Sequence, residues 1–374
     1  MKIGLVTISM ERGGVETYLL SLGKRLCAAG HDVEIVTTVE PGPWAHRVQE
    51  EGLRARHLAK PRNVSSTRHV LRLGKALSEY DLVFLNHAPY AQRAIGLLPQ
   101  RIVVVPVIHN DHPMMYGLVE HLAQGWNVAV AVGTRIFEVA KERLPDRPVV
   151  LIQNGIELPP ASDLSQRAPW SKPFRLLYVG RLLHAQKGVL DLPKIVRACV
   201  DRGADVRLEI IGEGEDRDRL LSEIDREGLG NRIEMLGSQP PEQTQRAMLR
   251  SHFLLLPSKY EGLPIVLLES QAAGCVPVCS LLPGVTDQAL PPHGFVVPGA
   301  DPSGFADHVA ALAQDSSLWE EASAAAIQNV RERFSAEQMA ARYLELIDRC
   351  AAGEFRPSEP RRSLRWKSIF GRTP

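Results

Sequence analysis

Short apolar runs alternate with amphipathic stretches along most of this chain. The runs predict strands at residues 2–8, 33–37, 82–85, 102–108, 128–132 and 149–152, and again at 175–179, 206–211, 233–236, 253–256 and 276–279. Helical periodicity is clearest at residues 15–29, 190–202 and 336–350. Because strands and helices alternate, the pattern predicts an α/β protein with parallel, doubly wound sheets.

A polar, proline-rich passage at residues 159–173 interrupts this alternation and is typical of a linker. The strand and helix pattern then restarts. We therefore predict two Rossmann-like domains, at residues 1–165 and 166–335, that face each other across a cleft. A length of 374 residues suits two hydrophobic cores better than one.

Composition adds limits to this picture. Hydrophobic residues make up 44% of the chain and charged residues 23%, which is ordinary for a soluble globular protein. The net charge of +1 gives no reason to expect a nucleic acid partner. The 5 cysteines are scattered and odd in number, so they indicate neither a disulfide framework nor a zinc site. With no signal peptide and no apolar window of about 18 residues, a cytoplasmic protein is expected.

The most informative motif is PSKYEGLPIVLLE at residues 257–269. It follows a predicted strand and opens a helix, with Pro264 expected in the first helical turn. Glu261 lies on the connecting loop and Glu269 lies inside the helix. A helix start offers free N–H groups to a phosphate, whereas carboxylates favour hydroxyl groups. The combination predicts a ligand that carries both, such as a nucleotide sugar.

Two cations follow the first strand of the second half, Arg181 and Lys187. Cations at a strand end can neutralise a diphosphate leaving group as its charge grows. Gly13 and Gly14 follow the first strand of the chain, where glycine lets the backbone approach a ligand closely. The G-x-G-x-x-G pattern of dinucleotide-binding proteins is absent at this loop, which argues against an NAD-dependent enzyme.

These motifs, in this order, resemble the GT-B fold retaining glycosyltransferases of family 4, also called glycosyl transferases group 1. The resemblance covers roughly residues 1–350. It rests on GGVETYLLSLGKRLCAAGHDV at 13–33, QNGI at 153–156, LYVGRL at 177–182, LEIIGEGE at 208–215 and LLLPSKYEGLPIVLLESQAAGCVPV at 254–278. It implies that the first domain binds the acceptor, that the second binds the nucleotide sugar, and that helix 336–350 returns to the first domain.

The resemblance also implies roles for individual residues. Glu261 and His109 would act at the transferred sugar and the reaction centre, and Glu269 would accept hydrogen bonds from ribose hydroxyls. The remaining expected substrate-binding residues are Gly13, Gly14, Arg181, Lys187, Gly212, Gly262 and Leu263. His87 and His112 are weaker candidates. The spacing from Arg181 to Lys187 is six positions, one more than is usual in the family.

No cofactor is expected, because the nucleoside diphosphate sugar is itself a substrate. Asp216 and Asp218 form a D-x-D triplet that invites a metal assignment. We instead expect these acidic residues to begin a helix, where they complement its dipole. The resemblance therefore implies a transferase without a metal site.

Residues 351–374 form a basic tail in which Arg361, Arg362, Arg365 and Lys367 are interleaved with Leu364, Trp366, Ile369 and Phe370. This composition suits an anionic membrane surface, at the inner face of the membrane. A disordered tail is the alternative.

The expected function is transfer of a hexosyl unit, with retention, from a nucleoside diphosphate sugar to a glycan or lipid-linked acceptor in cell-surface polysaccharide synthesis. Two alternatives stay open: a nucleotide-sugar epimerase of the same fold, and a non-catalytic sugar-nucleotide-binding subunit. Gly284 and Asp287 stand where the family often has a glycine-rich segment with a glutamate, so UDP, GDP and ADP all remain open as the nucleotide.

Overall fold

The computed structural model describes residues 1–371, apart from the side chain of Asp287. Its strands are β1 (Lys2–Thr7), β2 (Asp32–Thr37), β3 (Arg54–His57), β4 (Leu82–Asn86), β5 (Val103–Ile108), β6 (Ala129–Ala131), β7 (Val149–Leu151), β8 (Phe174–Val179), β9 (Val206–Ile211), β10 (Ile233–Gly237), β11 (Phe253–Leu256), β12 (Val276–Ser280) and β13 (Phe295–Val297).

The α-helices are α1 (Gly14–Ala28), α2 (Ala45–Glu50), α3 (Ser66–Leu77), α4 (Pro89–Arg93), α5 (Pro113–Glu120), α6 (Thr134–Arg143), α7 (Ala161–Leu164), α8 (His184–Lys187), α9 (Leu192–Asp201), α10 (Arg217–Arg226), α11 (Pro241–Arg250), α12 (Ile265–Ala272), α13 (Thr286–Ala289), α14 (Pro302–Gln314), α15 (Ser316–Arg333), α16 (Ala336–Ala351) and α17 (Arg365–Phe370). Short 3₁₀ turns lie at Ala94–Leu97, Ala123–Gly125, Val189–Asp191, Pro298–Ala300 and Arg361–Leu364. No described helix combines the length and the hydrophobicity that crossing a bilayer requires.

The chain divides into two units, each built around its own sheet. The first unit contains Met1–Gly155 and the chain from Ala336 onward, and the second contains Ile156–Ser335. The chain leaves the first unit after Gly155, ten residues before the predicted domain boundary at residue 165. The second unit is therefore an insertion between two parts of the first.

The sheet of the first unit has the order β3-β2-β1-β4-β5-β6-β7, and its strands pair in parallel. All residues of β4 and β5 are buried, as expected for central strands of a parallel sheet with both faces covered. The order reverses between β1 and β4. Strand β3, with the sequence RARH, escaped prediction because it is a polar edge strand without an apolar run.

The sheet of the second unit has the order β10-β9-β8-β11-β12-β13 and is also parallel. Its order reverses between β8 and β11. Ligands of doubly wound sheets bind outside the carboxyl ends of the strands at such a reversal. Strand β13 escaped prediction because its apolar run, FVV, is only three residues long and stands between Gly294 and Pro298.

The passage at 159–173 is not a free linker. It contains α7, and the Trp170 indole donates to the Leu312 carbonyl at 3.2 Å while packing edge-on against Phe174 at 5.4 Å. Its proline-rich composition reflects an irregular but packed path along the second unit.

The C-terminal part of the chain returns to the first unit through α16. The Tyr18 hydroxyl of α1 donates to the Tyr343 hydroxyl of α16 at 2.8 Å, and both side chains are buried. Beyond α16 the chain continues as ordered structure that includes α17 and packs on the first unit. The alternative of a disordered tail is therefore wrong for the described residues of this segment.

Candidate functional site

The candidate site of the second unit lies on the loops after β8, β9 and β11, at the reversal of strand order. The loop after β8 carries Arg181 and Lys187, and the loop after β11 carries Glu261. The Lys259 amide donates to the Gln186 carbonyl at 2.8 Å and ties these two loops together. Residues that are 74 positions apart in sequence thus meet at one edge of the sheet.

Lys187 and Glu261 form an ion pair at the centre of this site. The Lys187 Nζ atom lies 2.6 Å from Glu261 Oε1, and their side chains are 17% and 5% exposed. The Ser258 hydroxyl donates to the same Oε1 atom at 2.6 Å. Within the described residues, nothing donates to Glu261 Oε2. The Lys187 ammonium and the Ser258 hydroxyl compensate the negative charge of this buried carboxylate at one oxygen. Its repulsion of a nearby anion is therefore reduced.

Arg181 presents a cation without a partner at the same edge. The residue is exposed, and its guanidinium makes no ion pair or hydrogen bond with any described group. Its backbone is held in place, because the Tyr178 hydroxyl donates to the Arg181 carbonyl at 2.9 Å. The arrangement leaves the guanidinium available to an anion, since guanidinium groups bind phosphate oxygens in bidentate fashion.

Two glycines permit the close approach of these loops. A Cβ atom on Gly188, where φ is +65°, would lie 1.9 Å from the Pro257 carbonyl oxygen. A Cβ atom on Gly212, where φ is +147°, would lie 1.9 Å from the Gly180 carbonyl oxygen. Gly212 therefore lies at the expected loop, where it brings the strand end of β9 against the strand end of β8.

Helix α12 begins at Ile265, with Pro264 as its N-cap residue rather than in its first turn as predicted. The backbone N–H groups of Gly262 and Leu263 donate to no described acceptor. They precede the helix start on the loop that carries Glu261. These amides and the positive end of the helix dipole are suited to an anion.

Glu269 lies in the second turn of α12 and is half-buried. Loss of water around the carboxyl raises its pKa to about 7. No hydrogen bond from a described residue compensates this desolvation. The group is thus a poorly solvated carboxyl that lacks donors, which is the arrangement a hydroxyl-bearing ligand would satisfy.

The D-x-D triplet is committed to local structure. The Asp216 carboxylate accepts from the His184 amide at 2.7 Å and pairs with Arg219. The backbone N–H of His184, together with Arg219, lowers the pKa of Asp216. Asp216 is the N-cap residue of α10, and Asp218 lies in its first turn at the surface. Among residues 1–371, no three histidine, cysteine, aspartate or glutamate side chains group as metal ligands would.

Ser258, the hydroxyl donor to Glu261, was not predicted from the sequence. Neither was the hydrogen bond between Lys259 Nζ and His184 Nε2, which are 3.1 Å apart. Ser258 and Lys259 stand inside the motif that was singled out, yet their partners could not be read from it. Spacing within a loop does not reveal which backbone turn directs a side chain inward.

In the first unit, Gly13 is the N-cap residue of α1 and Gly14 its first residue. His109 follows β5 and is buried, with its Nε2 atom 2.9 Å from Asn86 Oδ1 and its ring edge-on to Tyr18 at 5.1 Å. Burial, with a smaller contribution from His87, lowers the pKa of His109 to about 3. The imidazole is therefore neutral at physiological pH.

The amide of Asn86 determines which nitrogen of His109 carries the proton. Asn86 Nδ2 faces the carbonyls of Val6 and Phe84 at 3.4 and 3.2 Å, so its Oδ1 must accept from His109 Nε2–H. His109 Nδ1 is then an acceptor, and no described group donates to it. This nitrogen can accept a hydrogen bond from a hydroxyl.

The two weaker histidine candidates have different surroundings. His112 is the N-cap of α5, where its Nδ1 accepts from the Met114 amide at 3.2 Å. His87 follows β4 in a left-handed conformation with φ of +46°, and burial lowers its pKa. A structural capping role accounts for His112, whereas His87 lies at the reversal point of the first sheet.

Comparison with known proteins gives two family matches that together span most of the chain. Residues 12–158 match the model of glycosyltransferase family 4, and residues 162–333 match that of the glycosyl transferases group 1. The glycogen synthase of Mycobacterium tuberculosis is 24% identical, over 93% of this chain and 94% of that protein. The phosphatidyl-myo-inositol mannosyltransferase of Mycobacterium leprae is 26% identical, over 88% and 92%.

A solved structure shares the fold. The structure of Anabaena Alr3699/HepE in complex with UDP and glucose superimposes with a TM-score of 0.78 at 16% identity, covering 93% of this chain and 99% of that one. The two parallel-sheet units described above thus have a known fold. The chain belongs to the glycosyl transferases group 1 and family 4, and it is a glycosyltransferase with the GT-B fold.

Proposed function

We propose that this glycosyltransferase moves a hexosyl unit, with retention at the anomeric carbon, from a nucleoside diphosphate sugar to a glycan or lipid-linked acceptor. The observation that carries the proposal is the Lys187–Glu261 pair beside the unpaired Arg181 at the reversal of the second sheet. Such a site offers positive charge to a diphosphate and a carboxylate oxygen to a sugar. The role in cell-surface polysaccharide synthesis is part of the proposal.

The relatives support the choice of substrates. The HepE structure contains UDP and glucose, which makes UDP the first nucleotide to test. The Mycobacterium leprae relative is named for mannosyl transfer to phosphatidyl-myo-inositol, an acceptor that carries lipid. These are properties of those proteins, and they motivate the same classes of donor and acceptor here.

Donor binding is assigned to the second unit. The Arg181 guanidinium and the free amides of Gly262 and Leu263 would bind the diphosphate oxygens. Lys187, whose ammonium contacts the Glu261 carboxylate at 2.6 Å, would also contact the diphosphate. The Glu269 carboxylate would accept hydrogen bonds from the ribose hydroxyls. Since cationic side chains supply the neutralising charge, we propose no metal for this step.

The reaction breaks the bond between the anomeric carbon and the diphosphate oxygen and forms a bond from that carbon to the acceptor oxygen. Negative charge grows on the departing diphosphate, where Arg181 and Lys187 would stabilise it. The acceptor hydroxyl would give its proton to the departing phosphate oxygen on the same face of the sugar, which retains configuration. Glu261 Oε2 would orient the hexose, and His109 Nδ1 would accept from a sugar hydroxyl.

The first test is a nucleotide screen by thermal shift and calorimetry with UDP, GDP, ADP and their sugars. We then expect Glu261→Gln to lower turnover of the preferred donor by about 100-fold, because one preorganised electrostatic contact at the reacting sugar is lost. Nucleotide binding should change by less than about threefold, since Lys187 and Arg181 remain in place. Donor consumption and acceptor product are both measured.

Glu209→Gln is the matched control. Glu209 pairs with Arg250 at 2.5 Å and lies within strand β9 rather than on a loop of the site, so this variant should keep both turnover and binding. Equal losses of nucleotide binding and turnover in Glu261→Gln would contradict the proposed role of Glu261. Conversion of the donor to an epimer in the absence of any acceptor would show that the protein is an epimerase and contradict the transferase proposal.

A further inference from the structure

The first unit exposes an aromatic pair near the end of the described chain. Trp366 and Phe370 are each 70% exposed, more than any other large hydrophobic residue in the described part of the protein. Their rings stack on each other with centroids 5.4 Å apart and planes 16° apart. Leaving two large aromatic rings in water is unfavourable, so we expect another surface to cover the pair.

This pair is held on a fixed support. The buried Arg361 guanidinium donates to the carbonyls of Pro99, Ile102 and Gly125 at 2.7–2.8 Å and to Asn127 Oδ1 at 3.0 Å. These bonds fasten the segment directly before α17 to the first unit.

The inner face of α17 adds further bonds. The Ser368 hydroxyl accepts from the Gly96 amide at 3.0 Å, and the Ile369 carbonyl accepts from Thr67 and Arg93 at 3.3 and 3.2 Å. The Ser368 hydroxyl and the Ile369 carbonyl of α17 thus face the rest of the first unit. Trp366 and Phe370, one helical turn apart, remain on the outside.

Exposed cations lie on the segment that carries the aromatic pair and on helix α3, which contacts α17. Helix α3 exposes Arg68, Arg72 and Lys75 at the spacing of one helix face, and residues 360–371 expose Arg362, Arg365 and Lys367. Neither α3 nor residues 360–371 contain an aspartate or glutamate. None of these six cations forms an ion pair with a described residue. The charge is therefore not neutralised within the protein.

The two basic segments belong to one surface. Leu71 and Lys75 of α3 line the same cavity of about 720 Å³ as Arg362 and Arg365. Leu71 is itself 43% exposed and adds apolar area. We call this surface, made of Arg68, Leu71, Arg72, Lys75, Arg362, Arg365, Trp366, Lys367 and Phe370, the basic aromatic face.

We infer that the basic aromatic face binds the interface of a membrane that contains anionic lipids. Aromatic rings favour the headgroup level of a bilayer, and clustered cations favour its negative surface potential. A fixed display of both on two neighbouring segments, neither of which contains an acidic residue, matches that environment. The inference goes beyond the proposed transfer chemistry and involves none of its assigned residues.

The test is sedimentation of the full-length protein with two kinds of vesicle. One contains phosphatidylcholine alone, and the other also contains about 30% phosphatidylglycerol, which makes its surface strongly anionic. We expect binding to the anionic vesicles that weakens with salt. Double replacement of Trp366 and Phe370 by alanine should weaken binding at least about tenfold, and each removal of Arg362, Arg365 or Lys75 should weaken it about fivefold.

Trp366 also provides a direct signal, because it is the exposed tryptophan of the described chain. Its fluorescence should become shielded from acrylamide when anionic vesicles are added. Leu318→Ala is the control, since Leu318 is an exposed apolar residue of α15 in the second unit. Nucleotide binding reports that each variant is folded and tests the proposed function separately.

Three results would overturn the inference: no binding to anionic vesicles, equal binding to both vesicle types, or unchanged binding by the variant without Trp366 and Phe370. Concentration-dependent self-association through this pair, without vesicle binding, would assign the face to a second copy of the chain instead. Any of these outcomes would leave nucleotide binding by the second unit untouched.

Discussion

At the residue scale, the two carboxylates of the PSKYEGLPIVLLE motif have opposite surroundings. Glu261 is fully engaged at one oxygen by Lys187 and Ser258, whereas Glu269 has no donor among the described residues. The first is held in place by a cation and a hydroxyl. The second loses solvation without compensation, and this cost is the one a ribose would relieve.

The environment of Glu269 predicts pH-dependent donor binding. In the proposed role, the ionised carboxylate would accept hydrogen bonds from ribose hydroxyls, and burial raises its pKa to about 7. Only the ionised form should bind, so affinity for a nucleotide sugar should fall about tenfold between pH 8 and pH 6. Calorimetry with an intact nucleotide sugar is the suitable measurement, because its diphosphate is doubly esterified and does not titrate in this range.

Glu269→Gln is the matched variant for this prediction. It should bind the donor more weakly at pH 8 and show little dependence on pH. Because the folded-state pKa is above the unfolded value, ionisation of Glu269 destabilises the fold as pH rises from 4.5 to 7. The variant should therefore melt at a higher temperature than the natural protein at pH 8. An unchanged pH profile in Glu269→Gln would contradict this assignment.

How much of the site the sequence predicts is clear from these same residues. The motif placed Glu261 on a loop and Glu269 on a helix, and both positions are confirmed. The sequence predicted that Lys187 and Glu261 bind the same ligand, but it did not predict that they contact each other. A contact between residues 74 positions apart depends on how two loops fold together. The raised pKa of Glu269 likewise depends on packing around α12, which no local pattern encodes.

At the scale of elements, the site depends on how closely its loops approach one another. Gly212 sits where a Cβ atom would overlap the Gly180 carbonyl. Gly203 also has a positive φ, of +77°, but a Cβ atom there would meet nothing within 4 Å. The two glycines thus separate the effect of backbone conformation from that of close approach.

We expect Gly203→Ala to cost about 1 kcal/mol of folding stability, the ordinary penalty of a left-handed alanine. Gly212→Ala should cost about 3 kcal/mol or more, and it should weaken nucleotide binding at least about tenfold because the loop after β9 must move. Denaturant unfolding and calorimetry measure the two effects. If the two variants were equally stable and bound nucleotide equally well, the loop contact would have no role.

The elements themselves were largely predictable, because buried parallel strands are continuous apolar runs. Strands β4 and β5 are examples, with all of their residues buried. The edge strand β3 was missed because its sequence is polar, and β13 was missed because its apolar run is only three residues long. The passage at 159–173 was misread as a linker, because proline marks irregular backbone without telling whether that backbone is packed.

At the scale of the whole molecule, Arg361 fastens the C-terminal segment to the first unit. Burial lowers the pKa of this guanidinium to about 10, so it remains charged at physiological pH. Carbonyl oxygens and one amide oxygen, rather than a carboxylate, compensate the charge. Sequence analysis grouped Arg361 with the surface cations, because its burial depends on the fold of a distant part of the chain.

Arg361→Ala should destabilise the first unit by about 3 kcal/mol, since buried carbonyl groups lose their donors. Hydrogen exchange should accelerate in residues 94–127, whereas the strands of the second unit and the affinity for nucleotide should be unchanged. Arg362→Ala is the control, because Arg362 is exposed and should leave exchange unaltered. Faster exchange in both units, or in neither, would contradict this division of stability.

The seam of the inserted unit has a practical consequence. The Ile156 amide donates to the Phe334 carbonyl at 2.9 Å, and Ile156 bridges Ser335, so the two ends of the insertion lie side by side. A foreign segment that also begins and ends at adjacent positions could replace residues 156–335 by splicing at these two junctions. If the second unit binds the donor as proposed, chimaeras between relatives would exchange sugar-donor preference together with residues 156–335.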